Sequence, residues 1–166
     1  DFSTQSIIES LSSHSGLNPM PFILVADGIS DPGNLGTLIR TADWFGMCGV
    51  LTMPGSTDPW SPKCVQASMG SIFNVPVASI HTEDIATMQS QHHYALDMKG
   101  HNYTEVKWKP GLIWIGSESH GMDTDSTPLE FERVHIPRRG GAESLNAGIA
   151  GAIVCAEIAR VWNLKL

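Results

Sequence analysis

Ile136-Pro137-Arg138-Arg139-Gly140-Gly141-Ala142-Glu143-Ser144-Leu145-Asn146, which runs into an apolar segment ending near Trp162, is the stretch that decides how this chain is read. A short strand carrying Val134 and Ile136 stops at Pro137, which has no N–H to extend a ladder. Gly140 and Gly141 let the backbone bend or come close to a ligand. Ser144 reads as an N-cap, its hydroxyl accepting an otherwise unpaired N–H of the first helical turn. The helix after it places Leu145, Ile149, Ile153, Ala156 and Arg160 at helical spacing. Ala147, Gly148, Ala150, Gly151 and Ala152 lie between them, small enough for another backbone to pack close. Glycine loop, polar helix start and close-packed helix together describe a ligand cradle.

Upstream, strand-like and helix-like runs alternate. Phe22-Ile23-Leu24-Val25-Ala26 is a continuous apolar run that suits a strand buried on both faces. The loop Asp31-Pro32-Gly33-Asn34 follows, with Asn34 as the expected N-cap of the next helix. That helix puts Leu35, Leu38, Ile39, Ala42 and Phe45 on one face and Thr37, Arg40, Thr41 and Trp44 largely on the other, and Gly46 ends it. Residues 49–53 give a second strand, 63–70 a short helix, 75–78 an edge strand and 83–91 a polar helix. Residues 94–98 give a third strand ending in Lys99-Gly100, and 112–116 the most apolar strand of all. The pattern is that of an α/β domain with a mostly parallel sheet. Residues 1–21, with a short helix around Ile7, Ile8 and Leu11, read as a lead-in or a link to an upstream domain; 22–166 read as the functional domain.

At 166 residues the chain is long enough for one domain with a sizeable core, and its 42% hydrophobic content fits a globular protein. No apolar run reaches the length of a membrane span, so no membrane partner is expected. Three cysteines at scattered positions, Cys48, Cys64 and Cys155, argue for reduced thiols and a cytoplasmic setting. A net charge of −7 counts against a protein that grips nucleic acid over its whole surface, though it leaves room for a local basic site.

Three loops follow strand-like runs, at 27–34, 116–121 and 137–144, where an open α/β sheet binds its ligands. They or the helices they open carry Asn34, Arg40, Glu118, Ser144 and Asn146. There is no GxxxxGK[ST] for a phosphate loop and no GxGxxG between the first strand and helix. Gly116-Ser117-Glu118-Ser119-His120-Gly121 has Glu118 where a nucleophile elbow needs Ser. His92-His93 is an adjacent pair whose side chains point apart, and no metal-ligand spacing is present, so no metal is expected.

The segments Asp31-Pro-Gly-Asn-Leu-Gly-Thr-Leu-Ile-Arg40-Thr-Ala, Ile115-Gly-Ser-Glu-Ser-His-Gly121-Met and Ile136-Pro…Glu143-Ser-Leu-Asn146…Ala-Gly resemble, in order and spacing, the three motifs of the SpoU (TrmH-like) branch of the SPOUT RNA methyltransferases. The resemblance covers roughly residues 22–163. It implies a parallel sheet flanked by helices with a C-terminal trefoil knot, a homodimer, and S-adenosylmethionine-dependent 2′-O-ribose methylation of structured RNA, rRNA ahead of tRNA. The alternative is a non-catalytic RNA- or cofactor-binding module of the same fold. Carried over residue by residue, the resemblance implies a cofactor site at Leu96, Asp97, Gly116, Ser117, Glu118, Gly121, Ile136, Ser144 and Leu145, and a catalytic set of Asn34, Arg40, Glu118, Ser144 and Asn146. Ser117 stands where relatives often have Asn, and Arg138 where they often have Met.

Arg40 is the implied activator of the ribose hydroxyl, either as a base assisted by a neighbouring phosphate or as a cation that stabilises the forming alkoxide. A guanidinium stays protonated in proteins, which favours the second role. Lys63, Arg138 and Arg139 lie in or near the same loops and are candidate phosphate contacts to RNA.

Overall fold

The computed structural model describes residues 3–13, 20–80, 84, 88, 91–117, 122 and 128–162. Its central strand is β1 (Met20–Asp27), the apolar run of the sequence extended by a residue or two at each end. Alternation along β1 divides the protein into two cores. Phe22, Leu24 and Ala26 face one side of the sheet, Ile23 and Val25 the other. Each of these large side chains contributes about 1.5–3 kcal/mol on burial.

The further strands are β2 (Met47–Thr52), β3 (Val77–Ser79), β4 (His92–Asn102), β5 (Gly111–Gly116) and β6 (Phe131–His135). They form one six-stranded sheet in the order β3-β2-β1-β5-β4-β6, and every neighbouring pair is parallel. The chain builds outward from β1 to β3, then resumes on the other side, which puts the change of direction between β1 and β5.

Among the described residues four α-helices flank the sheet: α1 (Thr4–Ser13), α2 (Pro32–Phe45), α3 (Pro62–Ala67) and α4 (Ala147–Val161). The helix expected near Ile7 is thus present. Its Ile7, Ile8 and Leu11 are buried with Ile23, Val25, Leu51 and Trp114 on one face. On the other face α2 and α4 bury Leu35, Leu38, Ile39, Val154, Cys155 and Ile158 against Phe22, Leu24, Ile113 and Ile115. Trp162 meets Phe22 edge-on, with ring centroids 5.3 Å apart, so the aromatic end of α4 belongs to the core. All three cysteines are buried and free, and burial pushes the Cys155 thiol up to about 12.

Several local expectations are corrected. The N-cap of α2 is Asp31, whose carboxylate accepts the Asn34 N–H at 2.8 Å, because Pro32 fills the first helical position. The N-cap of α4 is Asn146, not Ser144. Ile149, Ala156 and Arg160 of α4 are exposed, as is Leu145 just before it, while Gly148 and Gly151 face the core beside Val154, Cys155 and Ile158. At Gly148 and Gly151 a Cβ would strike Thr37, Leu38 or Ile115, so α2 and β5 lie too near for a larger residue at those two positions. Thr41 of α2 is buried and Thr37 packs on α4, so of the polar group expected there only Arg40 and Trp44 are exposed. Gly46 closes α2 at φ +64°, a left-handed conformation, as its position suggested. The polar helix expected at 83–91 falls outside the described residues except for Asp84, Met88 and Gln91.

His92 is exposed and His93 is buried, as the opposed directions of neighbouring strand residues require. His93 Nδ1 accepts the Trp114 Nε1–H at 3.0 Å, which leaves Nε2 to donate to the Met88 carbonyl at 2.8 Å. Burial pushes its pKa below the ordinary 6.5, against a weaker opposing pull from the Met88 carbonyl. The unfolded chain therefore takes up the proton first. This contribution to stability is complete above pH 6.5 and is lost as the pH falls towards the folded value. His93→Phe leaves two buried groups unpaired and costs about 1–3 kcal/mol for each at neutral pH. Thermal melts should show the gap between wild type and His93→Phe narrowing on acidification; a pH-independent gap would refute the assignment.

Gly36 marks where α3 crosses α2. A Cβ there would lie 2.5 Å from the Ala67 Cβ and 2.8 Å from the Cys64 carbonyl oxygen. Alanine gains about 1 kcal/mol of helix propensity, but backbone atoms cannot yield cheaply, and overpacking costs about 1–3 kcal/mol. Urea unfolding should find Gly36→Ala less stable than wild type.

Candidate functional site

The carboxyl ends of β4, β5 and β6 open into one cavity of about 620 Å³, within the usual range for small-molecule sites of roughly 300–1,000 Å³. β4 supplies Leu96, Asp97 and Met98; β5 and its exit supply Ile115, Gly116 and Ser117. β6 and the loop after it contribute Val134, Ile136, Pro137, Arg138, Arg139, Gly140, Ala142, Glu143, Ser144 and Leu145, and α4 closes the wall with Ala147 and Ala150.

β4 is shaped to make this wall. It pairs with β6 as far as Leu96, leaves the register, and pairs again from His101, so that both residues face Val134. The excursion is tied down by Asp97. One carboxylate oxygen accepts the Lys99 N–H at 3.0 Å and the other receives Arg133 Nη1 of β6 at 3.1 Å. Gly100, at φ +145°, brings the strand back where any Cβ would strike the Arg133 carbonyl. The third strand therefore continues past the glycine at which the sequence reading ends it.

Across the cavity, Arg138 Nη1 donates to the Ala142 carbonyl at 3.1 Å and closes the glycine loop on itself. A Cβ built at Gly140 or Gly141 would meet no atom of the protein within 4 Å. The fold does not exclude side chains there; the glycines leave open space beside bare backbone. Asn146 links this wall to α2. Its Oδ1 accepts the Ile149 N–H at 3.2 Å and its Nδ2 donates to Asn34 Oδ1 at 2.7 Å, so both amide orientations are set by the network.

Of the expected cofactor residues, Leu96, Asp97, Gly116, Ser117, Ile136, Ser144 and Leu145 all line the cavity. Glu118 and Gly121 lie outside the described residues. Among the expected catalytic residues, Ser144 is on the wall, and Asn34 and Asn146 are joined at its edge. Arg40 is not with them. Six residues along α2 carry it about 9 Å up the axis and about 120° round from Asn34, and its side chain is exposed. Arg138 and Arg139 border the cavity, whereas Lys63 is exposed on α3, away from it. The sequence reading did not pick out Met98, Met122, Pro137 and Glu143 as lining residues. Met98 adjoins the assigned Asp97 and Glu143 adjoins Ser144, a signal by proximity alone. No group of three or more metal-binding side chains is assembled among the described residues.

A wholly parallel sheet with a glycine-walled cavity beyond its strand ends defines an α/β protein built to hold a small-molecule ligand against bare backbone. The chain belongs to the SpoU rRNA Methylase family, whose family model matches residues 21–156. It is 30% identical to the 23S rRNA (guanosine(2553)-2′-O)-methyltransferase RlmP of Bacillus subtilis, over 80% of this chain and 55% of that protein. Among solved structures it resembles a putative RNA methyltransferase of the TrmH family from Porphyromonas gingivalis, with a TM-score of 0.77 at 36% identity over 84% of this chain and 59% of that one. It also resembles the AdoMet-bound rRNA methyltransferase from Sinorhizobium meliloti, with a TM-score of 0.77 at 29% identity over 98% of this chain and 71% of that one. The chain spans about half the length of the curated relatives it matches.

The Asn34–Asn146 link should be measurable. Asn146→Ala removes both the cap and the link and should lower stability by about 0.5–2 kcal/mol. Asn146→Asp keeps the cap and should lie nearer wild type. A double-mutant cycle with Asn34→Ala should give a coupling of about 0.5 kcal/mol or more; additive urea midpoints would show the contact to be idle.

Proposed function

We propose that this protein methylates a ribose 2′-hydroxyl of structured RNA, ribosomal RNA in the first place, using S-adenosylmethionine held in the cavity at the ends of β4, β5 and β6. The observation that carries this reading is the cavity itself: the second and third motif segments and the end of β4, distant from one another along the chain, border one space of suitable size. The fit to the cofactor rests on its donor set. Leu96, Ile115, Val134 and Ile136 offer an apolar bed for an adenine ring, Asp97 and Glu143 offer carboxylates, and Gly140 leaves room for close backbone contact. When bound, S-adenosylmethionine supplies an electrophilic methyl group on a sulfonium. The protein's own task is then to orient the ribose and stabilise charge on its oxygen. Asn34 and Asn146 position the hydroxyl, Ser144 contacts cofactor or phosphate, Glu118 orients Arg40 or substrate, and Arg138 and Arg139 hold the RNA backbone. Arg40 stabilises the forming alkoxide, in keeping with its permanent charge.

The same reading makes the protein a cytoplasmic homodimer with a knotted C-terminal region, residues 22–166 being its catalytic unit. Support for the knot comes from the path of residues 136–146, which cross from the sheet edge at β6 to the start of α4 over the strand ends. The dimer is supported by Leu145, Ile149 and Val161, apolar and about half exposed on α4, and by the separation of Arg40 from Asn34. A second copy is what would bring Arg40 to a cavity.

Titration with S-adenosylmethionine should show saturable binding, and radiolabelled methyl transfer to total RNA should label ribose oxygens. Arg40→Ala should reduce transfer by about 100-fold or more with cofactor affinity unchanged, because Arg40 does not line the cavity. Undiminished transfer by Arg40→Ala would refute its role, and cofactor binding without any transfer would identify a passive binding module.

A further inference from the structure

α2 turns two different sides to the protein. Asn34, Thr37 and Leu38 face α4, through the bond to Asn146 and the close approach of Gly148 and Gly151. Gly36 and Asp43 face the segment 61–74: Gly36 abuts Cys64 and Ala67, and Asp43 Oδ2 accepts Asn74 Nδ2 at 3.1 Å. Arg40 falls between Gly36 and Asp43 at helical spacing, so it borders this second segment.

That segment is firmly held yet leaves large apolar side chains in the open. Cys64, Ser68, Ser71 and Ile72 are buried, and Ser68 Oγ donates to the Val65 carbonyl at 2.8 Å. Trp60, Met69 and Phe73 are nonetheless 54%, 72% and 74% exposed. The Trp60 and Phe73 rings lie 6.2 Å apart at 52°. Met69 is held at φ +51°, the one described non-glycine residue with positive φ. Such strain collects where a side chain is being displayed. Lys63 is exposed on the same segment. The nearby carboxylates are engaged, Asp58 with the Trp60 N–H at 2.9 Å and Asp43 with Asn74. Two cations with no ion pair among the described residues, on the same packed block as exposed aromatic faces, match the chemistry of an unpaired nucleobase next to its phosphates, since every base has a π-face and stacking tolerates sequence.

We infer that Trp60 and Phe73, with Met69 beside them, form a stacking platform for an unpaired RNA base near the ribose that Arg40 meets. The inference rests on the activity proposed above, through Arg40. The platform and Arg40 sit on one packed block, so whichever cavity Arg40 serves, the platform accompanies it.

The test uses the intact protein, oligoadenylate, and an abasic ribose-phosphate oligomer of equal length. Wild type should bind oligoadenylate more tightly than the abasic oligomer. Trp60→Ala and Phe73→Ala should each weaken oligoadenylate binding about tenfold and leave abasic binding unchanged, while Trp60→Phe restores most of the affinity. Cofactor affinity and molecular mass by light scattering should not move. Equal affinity for the two oligomers, or loss of self-association in the alanine variants, would overturn the platform; the latter would assign the patch to a second copy of the chain. Discrimination between the oligomers by a wild-type protein that transfers no methyl to ribosomal RNA would refute the activity and support the platform.

Discussion

The spacing between α4 and its neighbours governs the rest of this structure. A Cβ at Gly151 would come within 2.5 Å of Leu38 Cδ2 and 2.9 Å of Ile115 Cδ1, and one at Gly148 within 2.9 Å of Thr37 Cγ2. Glycine inside a helix is unfavourable by about 1 kcal/mol relative to alanine, and α4 carries two. The return is proximity. With α4 this close to α2 and β5, Asn146 reaches Asn34, and the loop leading into α4 is drawn across the strand ends to wall the cavity. A thicker helix would stand further off, and the wall segments from β5 and from the loop into α4 would belong to separate surfaces.

The sequence was most informative where periodicity was strong. The alternation of Phe22, Leu24 and Ala26 against Ile23 and Val25 has a two-faced buried strand as its simple reading, and β1 is that strand. The order of helix and strand likewise indicates a parallel sheet, and the ladders are all parallel. The family resemblance implies one cofactor site drawn from the end of the third strand and the second and third motifs. The structure gathers Leu96, Asp97, Gly116, Ser117, Ile136, Ser144 and Leu145 around one cavity.

Legibility failed where local rules compete. Asp31 and Asn34 are both good caps, and only the place of Pro32 in the first turn decides between them. Ser144 and Asn146 compete in the same way, and the decision there is made by a tertiary bond from Asn146 to a residue far away in the sequence. The buried face of α4 mixes Gly148 and Gly151 with Val154, Cys155 and Ile158, and where it must be glycine is decided by α2 and β5, which helical spacing alone does not reveal. The excursion of β4 at 97–100 depends on Arg133 of another strand, a partner no local pattern reveals.

Arg40 shows what a single chain leaves to assembly. In α2 the residue tied to the cavity, Asn34, and the residue implied in alkoxide stabilisation lie on different sides of one rigid helix, so side-chain motion alone does not unite them. Either the helix carries two unrelated surfaces or the site is completed from outside the chain. The acidic net charge bears on this choice. A protein at −7 gains little from broad attraction to phosphate, so the proposed activity requires that RNA be met through a few placed groups. Arg40, Lys63 and the aromatic faces beside them are such a set, and they lie on the side of α2 turned away from the cavity's own wall. On the proposed activity, that placement is what a composite site would require, with cofactor chemistry and RNA recognition on different sides of the same helix, to meet only if two copies came together.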